Sequence, residues 1–396
     1  MTLDRALDQA LLDDDEAVKA ADPGEMLRAV ASSAAQVREA ALFAAEAGVA
    51  SVATEGRPRA VVVAGMGGSG VAGDMLVGLA GMTSPVPIST HKSYGLPGWV
   101  GPLDLVIAVS CSGSTEETLS AAEEAVRRGA RILGVGAVDS PLAELVAKGN
   151  GIFVPVTQGR QPRASLWSLA TPVALVGHAL GLLDASPEVV EAAAVALEQV
   201  AHVCRPDAVT FTNPAKALAV EIDGTNPVVW GTSALTGAAA YRFACQVNEN
   251  AKMEVVHGCL PEANHNQVVA FDGRGGAMLA AIPAEDTDPA DLDLFFRDRA
   301  VDPEPRVAMP LRLVLVRDSA DGGEHPQVAK RAEVSTELAL ERGIEVSELR
   351  AAGASALERL ASVVGLMDYA SVYLGLLYGV DPTPVEAIQA LKARLR

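Results

Sequence analysis

Two short stretches combine glycine with hydroxyl side chains just where the chain leaves an apolar run. "GMGGSG" at 65–70 follows "RAVVVA", and "SCSGST" at 110–115 follows "LDLVIAV". Backbone N–H groups that open a helix bind anions, glycine lets them come close, and serine or threonine hydroxyls add donors. Gly68 and Ser69 in the first stretch, and Ser110, Ser112 and Thr115 in the second, are therefore candidates to hold a phosphate without a basic side chain. The first stretch lacks the lysine of GxxxxGK[ST], and its GxGxxG spacing alone is a weak signal, so a nucleotide site is poorly supported. Two such loops on successive parallel strands point to one phosphomonoester at the carboxyl edge of a sheet. The plainer alternative is a pair of tight strand-to-helix turns with N-capping hydroxyls.

A third stretch, "QVNENAKMEVVHGCLPEANHNQ" at 246–267, sets a carboxylate (Glu249), an amine (Lys252) and an imidazole (His265) between strongly apolar flanks. By spacing alone Glu249 and Lys252 could be a surface ion pair. A lone His265 between two asparagines is more often structural than catalytic.

These residues must be positioned by a protein large enough for two or three domains: 396 residues, 49% hydrophobic and 20% charged. The net charge of −19 argues against non-specific affinity for nucleic acid or anionic lipid. Cysteines at 111, 204, 245 and 259 show no CxxC spacing, and no HxH or HxxE motif suggests a metal, so free thiols and neither metal nor cofactor are expected. The acidic start "MTLDRALDQALLDDDEAVKA" does not read as a signal peptide, and no run of about 18 apolar residues is unbroken, so a cytoplasmic, membrane-free protein is expected.

Hydrophobic periodicity predicts a helical segment over 1–55, then repeated strand–turn–helix units over 56–185, a connecting helix within 186–210, and a second set of units over 211–396 ending in a helix at "DPTPVEAIQALKARLR". In the second set "NPVVW", "VVAF" and "RLVLVRD" read as strands, and the Gly/Pro/Asp-rich stretch 272–306 as an irregular surface excursion. The fold class predicted is α/β, with two doubly wound parallel-sheet domains and helical N- and C-terminal extensions.

"GMGGSGVAGD", "SCSGSTEET", "QPRAS", "NENAK", "LPEANHN" and "DPTPVEAIQALK" together resemble the sugar isomerase (SIS) fold in the version found in bifunctional phosphoglucose/phosphomannose isomerases, from about residue 25 to the end. The resemblance implies a sugar phosphate substrate, with Ser69, Ser110, Ser112 and Thr115 on its phosphate and Arg163 beside the reacting carbons. It implies Glu249 as the base that moves a proton between C1 and C2, His265 as the group that assists ring opening, and Lys392 near the ring oxygen. In that family the histidine comes from the neighbouring subunit, so a homodimer with shared sites is implied.

Aldose–ketose isomerisation needs an acid, one base on one face and positive charge beside the enediolate, which these residue types can supply. This chain departs from the family's usual "HNE" by carrying Gln267, which removes a carboxylate that could orient the imidazole. The alternative function is a non-catalytic phosphosugar-binding module, although no helix-turn-helix is evident in the acidic N-terminal helices.

Overall fold

The computed structural model describes residues 10–273 and 309–395. Among the described residues, helices α1 (Asp15–Ala21), α2 (Met26–Ala31) and α3 (Ser33–Glu46) lead into β1 (Val61–Ala64), α4 (Gly68–Ala80), β2 (Ile88–His91), β3 (Leu105–Ser110), α5 (Glu116–Arg128), β4 (Arg131–Gly136), α6 (Pro141–Lys148), β5 (Ile152–Pro155) and α7 (Leu166–Ala179). Helices α8 (Pro187–Val203) and α9 (Pro214–Ile222) connect to β6 (Asn226–Gly231), α10 (Ala234–Asn250) and β7 (Val256–Cys259). After the undescribed stretch come β8 (Leu311–Arg317), α11 (Pro326–Glu341), β9 (Glu345–Arg350), α12 (Ala356–Leu377) and α13 (Glu386–Leu395).

Two sheets result, in the orders β2-β1-β3-β4-β5 and β7-β6-β8-β9, every pairing parallel. The inner strands β1 and β3 are buried along their whole length because helices cover both faces, which is why they read as unbroken apolar runs. Helix starts follow local chemistry. Helix α5 carries Glu116 and Glu117 in its first turn and Arg127 and Arg128 in its last, and ends at Gly129 with φ +71°. Helix α10 opens with a capping box between Ser233 and Thr236.

The halves are welded by helices. Helix α4 lies against α10 so closely that a Cβ on Gly78 would sit 2.9 Å from the Leu235 Cα. Helix α12 is long and apolar enough to cross a membrane by length and composition, yet 89% of that apolar window is buried inside the protein, as in a core helix.

One strand expectation is overturned. "VVAF" lies in a 3-10 turn, Gln267–Asp272, and the strand beside β6 is instead β7, in register from Val228↔Val256 to Gly231↔Cys259. Phe271 draws this turn inward by stacking on Trp230 at 5.5 Å, while Val269 stays 65% exposed, so the segment anchors one side chain and joins no ladder. All but the first two residues of the 272–306 excursion lie outside the described residues.

Candidate active site

The strand order of the first sheet reverses between β1 and β3, and the two hydroxyl-bearing loops leave those two strands. A doubly wound sheet binds ligands at that crevice. Glycine is required there by close approach. A Cβ on Gly70 would lie 2.8 Å from the Gly65 carbonyl oxygen, and Gly67 has φ +53°. Ser69 is buried, and its Oγ accepts from the Cys111 N–H at 3.4 Å, which ties the first loop to the second. Ser110 Oγ lies 2.9 Å from Thr115 Oγ1, while Ser112 stays exposed and accepts from the Ser114 N–H at 3.3 Å. Thr115 occupies the N-cap of α5 without using its hydroxyl on that helix. Gly68, Ser69, Ser110, Ser112 and Thr115 are thus brought to one edge, beside two helix N-termini. Burial pushes the Cys111 thiol up, so it is no anion competing for the loop.

Arg163 stands in a 3-10 turn, Pro162–Ala164, between β5 and α7, and is 7% exposed. Its Nη1 donates to the Glu249 carbonyl (3.0 Å), to Asn250 Oδ1 (3.0 Å) and to the Pro382 carbonyl, its Nη2 to the Thr383 carbonyl (2.8 Å), and its Nε lies 3.2 Å from Glu249 Oε2. Burial holds the Arg163 guanidinium below its ordinary value, and the Glu249 carboxylate opposes that shift. The side chain of Glu249 is 32% exposed, so the carboxylate is both paired and open to a ligand. Lys252 does not pair with that carboxylate. Its Nζ donates instead to the Glu249 main-chain carbonyl and to the Pro384 carbonyl, the latter at 2.8 Å.

Two residues unmarked at the sequence level stand behind this pair. Arg242 on α10 forks onto Asp368 of α12, Nε to Oδ1 and Nη2 to Oδ2, each at 3.1 Å. Its Nη2 also donates to the Arg163 carbonyl at 2.5 Å, and its Nη1 lies 3.8 Å from where a Cβ on Gly68 would be. Burial pushes the Asp368 carboxyl up, and the Arg242 guanidinium draws it back down. A charged side chain inside the apolar segments "AAAYRFAC" and "VVGLMDYASV" was the legible signal, because a charge on a buried helix face needs a partner.

His265 and Lys392 are not brought to this cluster within the chain. Cys259, which ends β7, lies at the start of α10, where its Sγ is 3.4 Å from the Ser233 carbonyl, whereas Glu249 lies at the helix's far end. Sixteen residues of helix separate those ends by roughly 24 Å. His265 follows in an exposed 3-10 turn, anchored by Asn264 Nδ2 donating to Ser335 Oγ at 2.8 Å. Lys392 is exposed on α13, a helix with no buried residue. Gln267 does not address His265. Its Oε1 accepts from Trp230 Nε1 at 2.6 Å and its Nε2 donates to the His257 carbonyl at 3.0 Å.

The second sheet repeats the switch point between β6 and β8, but there an internal carboxylate takes up the donors. Asp318 accepts from Ser233 Oγ at 2.9 Å and from Arg359 Nε at 2.8 Å. Among the described residues no group of three or more His, Cys, Asp or Glu is arranged to hold a metal ion.

Comparison with known proteins agrees with this architecture. The profile of the bacterial phospho-glucose isomerase C-terminal SIS domain matches residues 211–395. The bifunctional phosphoglucose/phosphomannose isomerase of Caldicellulosiruptor bescii is 30% identical over 335 residues, 85% of this chain and 89% of that protein. The protein of the same name from Aquifex aeolicus is 30% identical over 339 residues, 85% of this chain and 91% of its own length. Among solved structures, a hypothetical protein from Thermus thermophilus superposes with TM-score 0.64 at 15% identity, covering 94% of this chain and 90% of that one. The C-terminal domain of glucosamine-fructose-6-phosphate aminotransferase from Francisella tularensis does so with TM-score 0.53 at 15% identity, covering 90% and 96%. The structural likenesses speak for the fold alone, and the sequence identity, sustained over nearly the whole chain, identifies it: the chain belongs to the bifunctional phosphoglucose/phosphomannose isomerase family.

Proposed function

We propose that this protein is a sugar-phosphate isomerase that interconverts glucose 6-phosphate and mannose 6-phosphate with fructose 6-phosphate, acting as a cytoplasmic homodimer. The observation that carries this reading is the Glu249 carboxylate, part-exposed and 3.2 Å from the buried Arg163 guanidinium, on a helix packed against the one that opens at the phosphate loop. A carboxylate is the base an enediolate mechanism requires, and a fixed guanidinium stabilises the negative charge that develops on the substrate oxygens.

In this mechanism Ser69, Ser110, Ser112, Thr115 and the Gly68 backbone hold the phosphate. Glu249 removes the C2 proton of the open-chain aldose, the electron pair moves into the enediolate beside Arg163, the hydroxyl proton on O2 passes to O1, and Glu249 returns the carbon-bound proton to C1 to give the ketose. Both C2 epimers give the same enediolate because C2 becomes planar, and one carboxylate serves both when rotation about C2–C3 turns either face of C2 toward it. His265 from the partner subunit protonates the ring oxygen for opening, with Lys392 beside it. The exposed apolar side chains of Ile388, Leu391 and Leu395 on the helix that carries Lys392 favour a second subunit as their cover.

The non-catalytic alternative drew on Gln267 in place of a carboxylate. That amide is accounted for by Trp230 and His257, so it says nothing against turnover. The test is proton NMR of fructose 6-phosphate with the purified protein in deuterated buffer. Both aldose phosphates should form with deuterium at C2, and Glu249→Gln should cut turnover by about 10²–10⁴-fold. Full turnover in Glu249→Gln, or sugar-phosphate binding with neither product nor exchange in the wild type, would sink the reading.

A further inference from the structure

Arg242 and Glu249 lie seven residues apart on α10, two helical turns, and so share a face. Between them they hold both ends of Arg163. Glu249 pairs with its guanidinium at 3.2 Å, and Arg242 grips its main-chain carbonyl at 2.5 Å. Arg242 is itself immobilised by the two-pronged contact with Asp368 and is 2% exposed. Its Nη1 lies 3.8 Å from where a Cβ on Gly68 would be, so the guanidinium packs beside the first turn of α4, in the loop that carries Ser69.

Placing a cation on a buried helix face has a desolvation cost, and a buried ion pair is weak evidence for stability as such. A lysine would serve these contacts poorly, because a guanidinium meets the two carboxylate oxygens from separate nitrogens and keeps an N–H for the carbonyl, whereas an ammonium must aim every donor from one atom. The arrangement therefore reads as registration: it sets the distance between the phosphate loop, Arg163 and the base-bearing helix.

Resting on the isomerase reading, we propose that Arg242, anchored by Asp368, is a positioning residue that locks Arg163 against the phosphate-loop helix. It acts through Arg163 and touches no reacting atom. Because Arg163 works on the charge that develops during reaction, loosening it lowers kcat and leaves KM nearly unchanged.

The experiment is a double-mutant cycle on the full-length protein, read as steady-state kinetics with fructose 6-phosphate. Arg242→Lys should lower kcat about ten- to hundredfold with KM within about threefold of wild type. Arg163→Gln should lower kcat as well, and the double variant should fall within about threefold of Arg163→Gln alone, since a residue acting through another adds nothing once that one is gone. A wild-type kcat in Arg242→Lys, or losses that multiply in the double variant, would overturn the proposal. If Arg242→Lys does not fold, Asp368→Asn takes its place in the same cycle, since it keeps the side-chain shape and loosens the same fork. A wild type that converts no fructose 6-phosphate removes the isomerase reading and this inference with it, whereas an active wild type with multiplying losses removes only the role of Arg242.

Discussion

Arg163 Nε lies 3.2 Å from Glu249 Oε2, its Nη1 donates to oxygens of Glu249, Asn250 and Pro382, and its Nη2 donates to that of Thr383. The arginine is therefore a fixed charge, already oriented beside the carboxylate before any ligand arrives. Preorganised charge needs no rearrangement at the moment of reaction, which is where electrostatic catalysis gains most. The contacts to Pro382 and Thr383 also tie the site to the segment that leads into α13 and Lys392.

Within one chain Glu249 lies at the end of α10 while the segment that carries His265 leaves from beside its start, so sites shared between subunits can be tested by complementation. Glu249→Gln and His265→Ala homodimers should each be nearly inactive. Mixed, dissociated and reassociated at equal amounts, they should regain about a quarter of wild-type activity, because half of the dimers are hybrids and each hybrid holds one intact site. No recovery, in a mixture shown by mass spectrometry to contain hybrids, would mean that each site is built from one chain.

Gly113 holds the second loop in a conformation that a side chain disfavours. Its φ is +66°, and a Cβ there would sit 2.2 Å from Ser140 Oγ, which caps α6. Gly113→Ala should cost about 1–2 kcal/mol from the left-handed backbone alone and more from the clash. Since the hydroxyls of Ser110, Ser112 and Thr115 sit on this loop, KM for the sugar phosphate should rise about tenfold with a smaller change in kcat. Unchanged KM would take the loop out of phosphate binding.

Gln267→Glu supplies a carboxylate but replaces the Nε2 donor to the His257 carbonyl with an oxygen. Two acceptors would then face one another, and we expect a loss of about 1–3 kcal/mol in urea unfolding with no gain in turnover. A rise in kcat would show instead that a carboxylate at this position assists His265.

Two acidic side chains held by arginines contribute to the acid limb of stability. Burial would raise the Asp104 carboxyl, but the Arg59 guanidinium at 2.6 Å and the Gly101 N–H outweigh it and hold the group below its ordinary value. Glu324 is likewise below its ordinary value, burial opposing and Arg317 at 2.5 Å prevailing. A carboxyl lowered in the folded state contributes stability in full above its unfolded value of about 4, and loses it as pH falls through the lower folded value. Urea unfolding at neutral pH should therefore separate Asp104→Asn from wild type, with the gap closing below about pH 4. A gap independent of pH would assign the loss to packing.

The residues nearest in sequence were the ones the sequence alone could organise. Apolar runs ending in glycine and serine determined where β1, β3 and their anion loops lie, because strand burial and helix opening depend on a few consecutive side chains. Capping, charge order and the glycine stops of helices were legible for the same reason. Periodicity failed at "VVAF", where a four-residue apolar run packs one aromatic ring on Trp230 rather than joining a sheet. Only the tertiary structure decided who pairs with whom. Glu249 has a lysine three residues away, yet its carboxylate pairs with Arg163, 86 residues earlier, and Arg242 meets Asp368 across 126 residues. Local propensity carries no information about such partners. They are fixed when tertiary packing brings these distant segments together and a buried charge must take the partners it meets there.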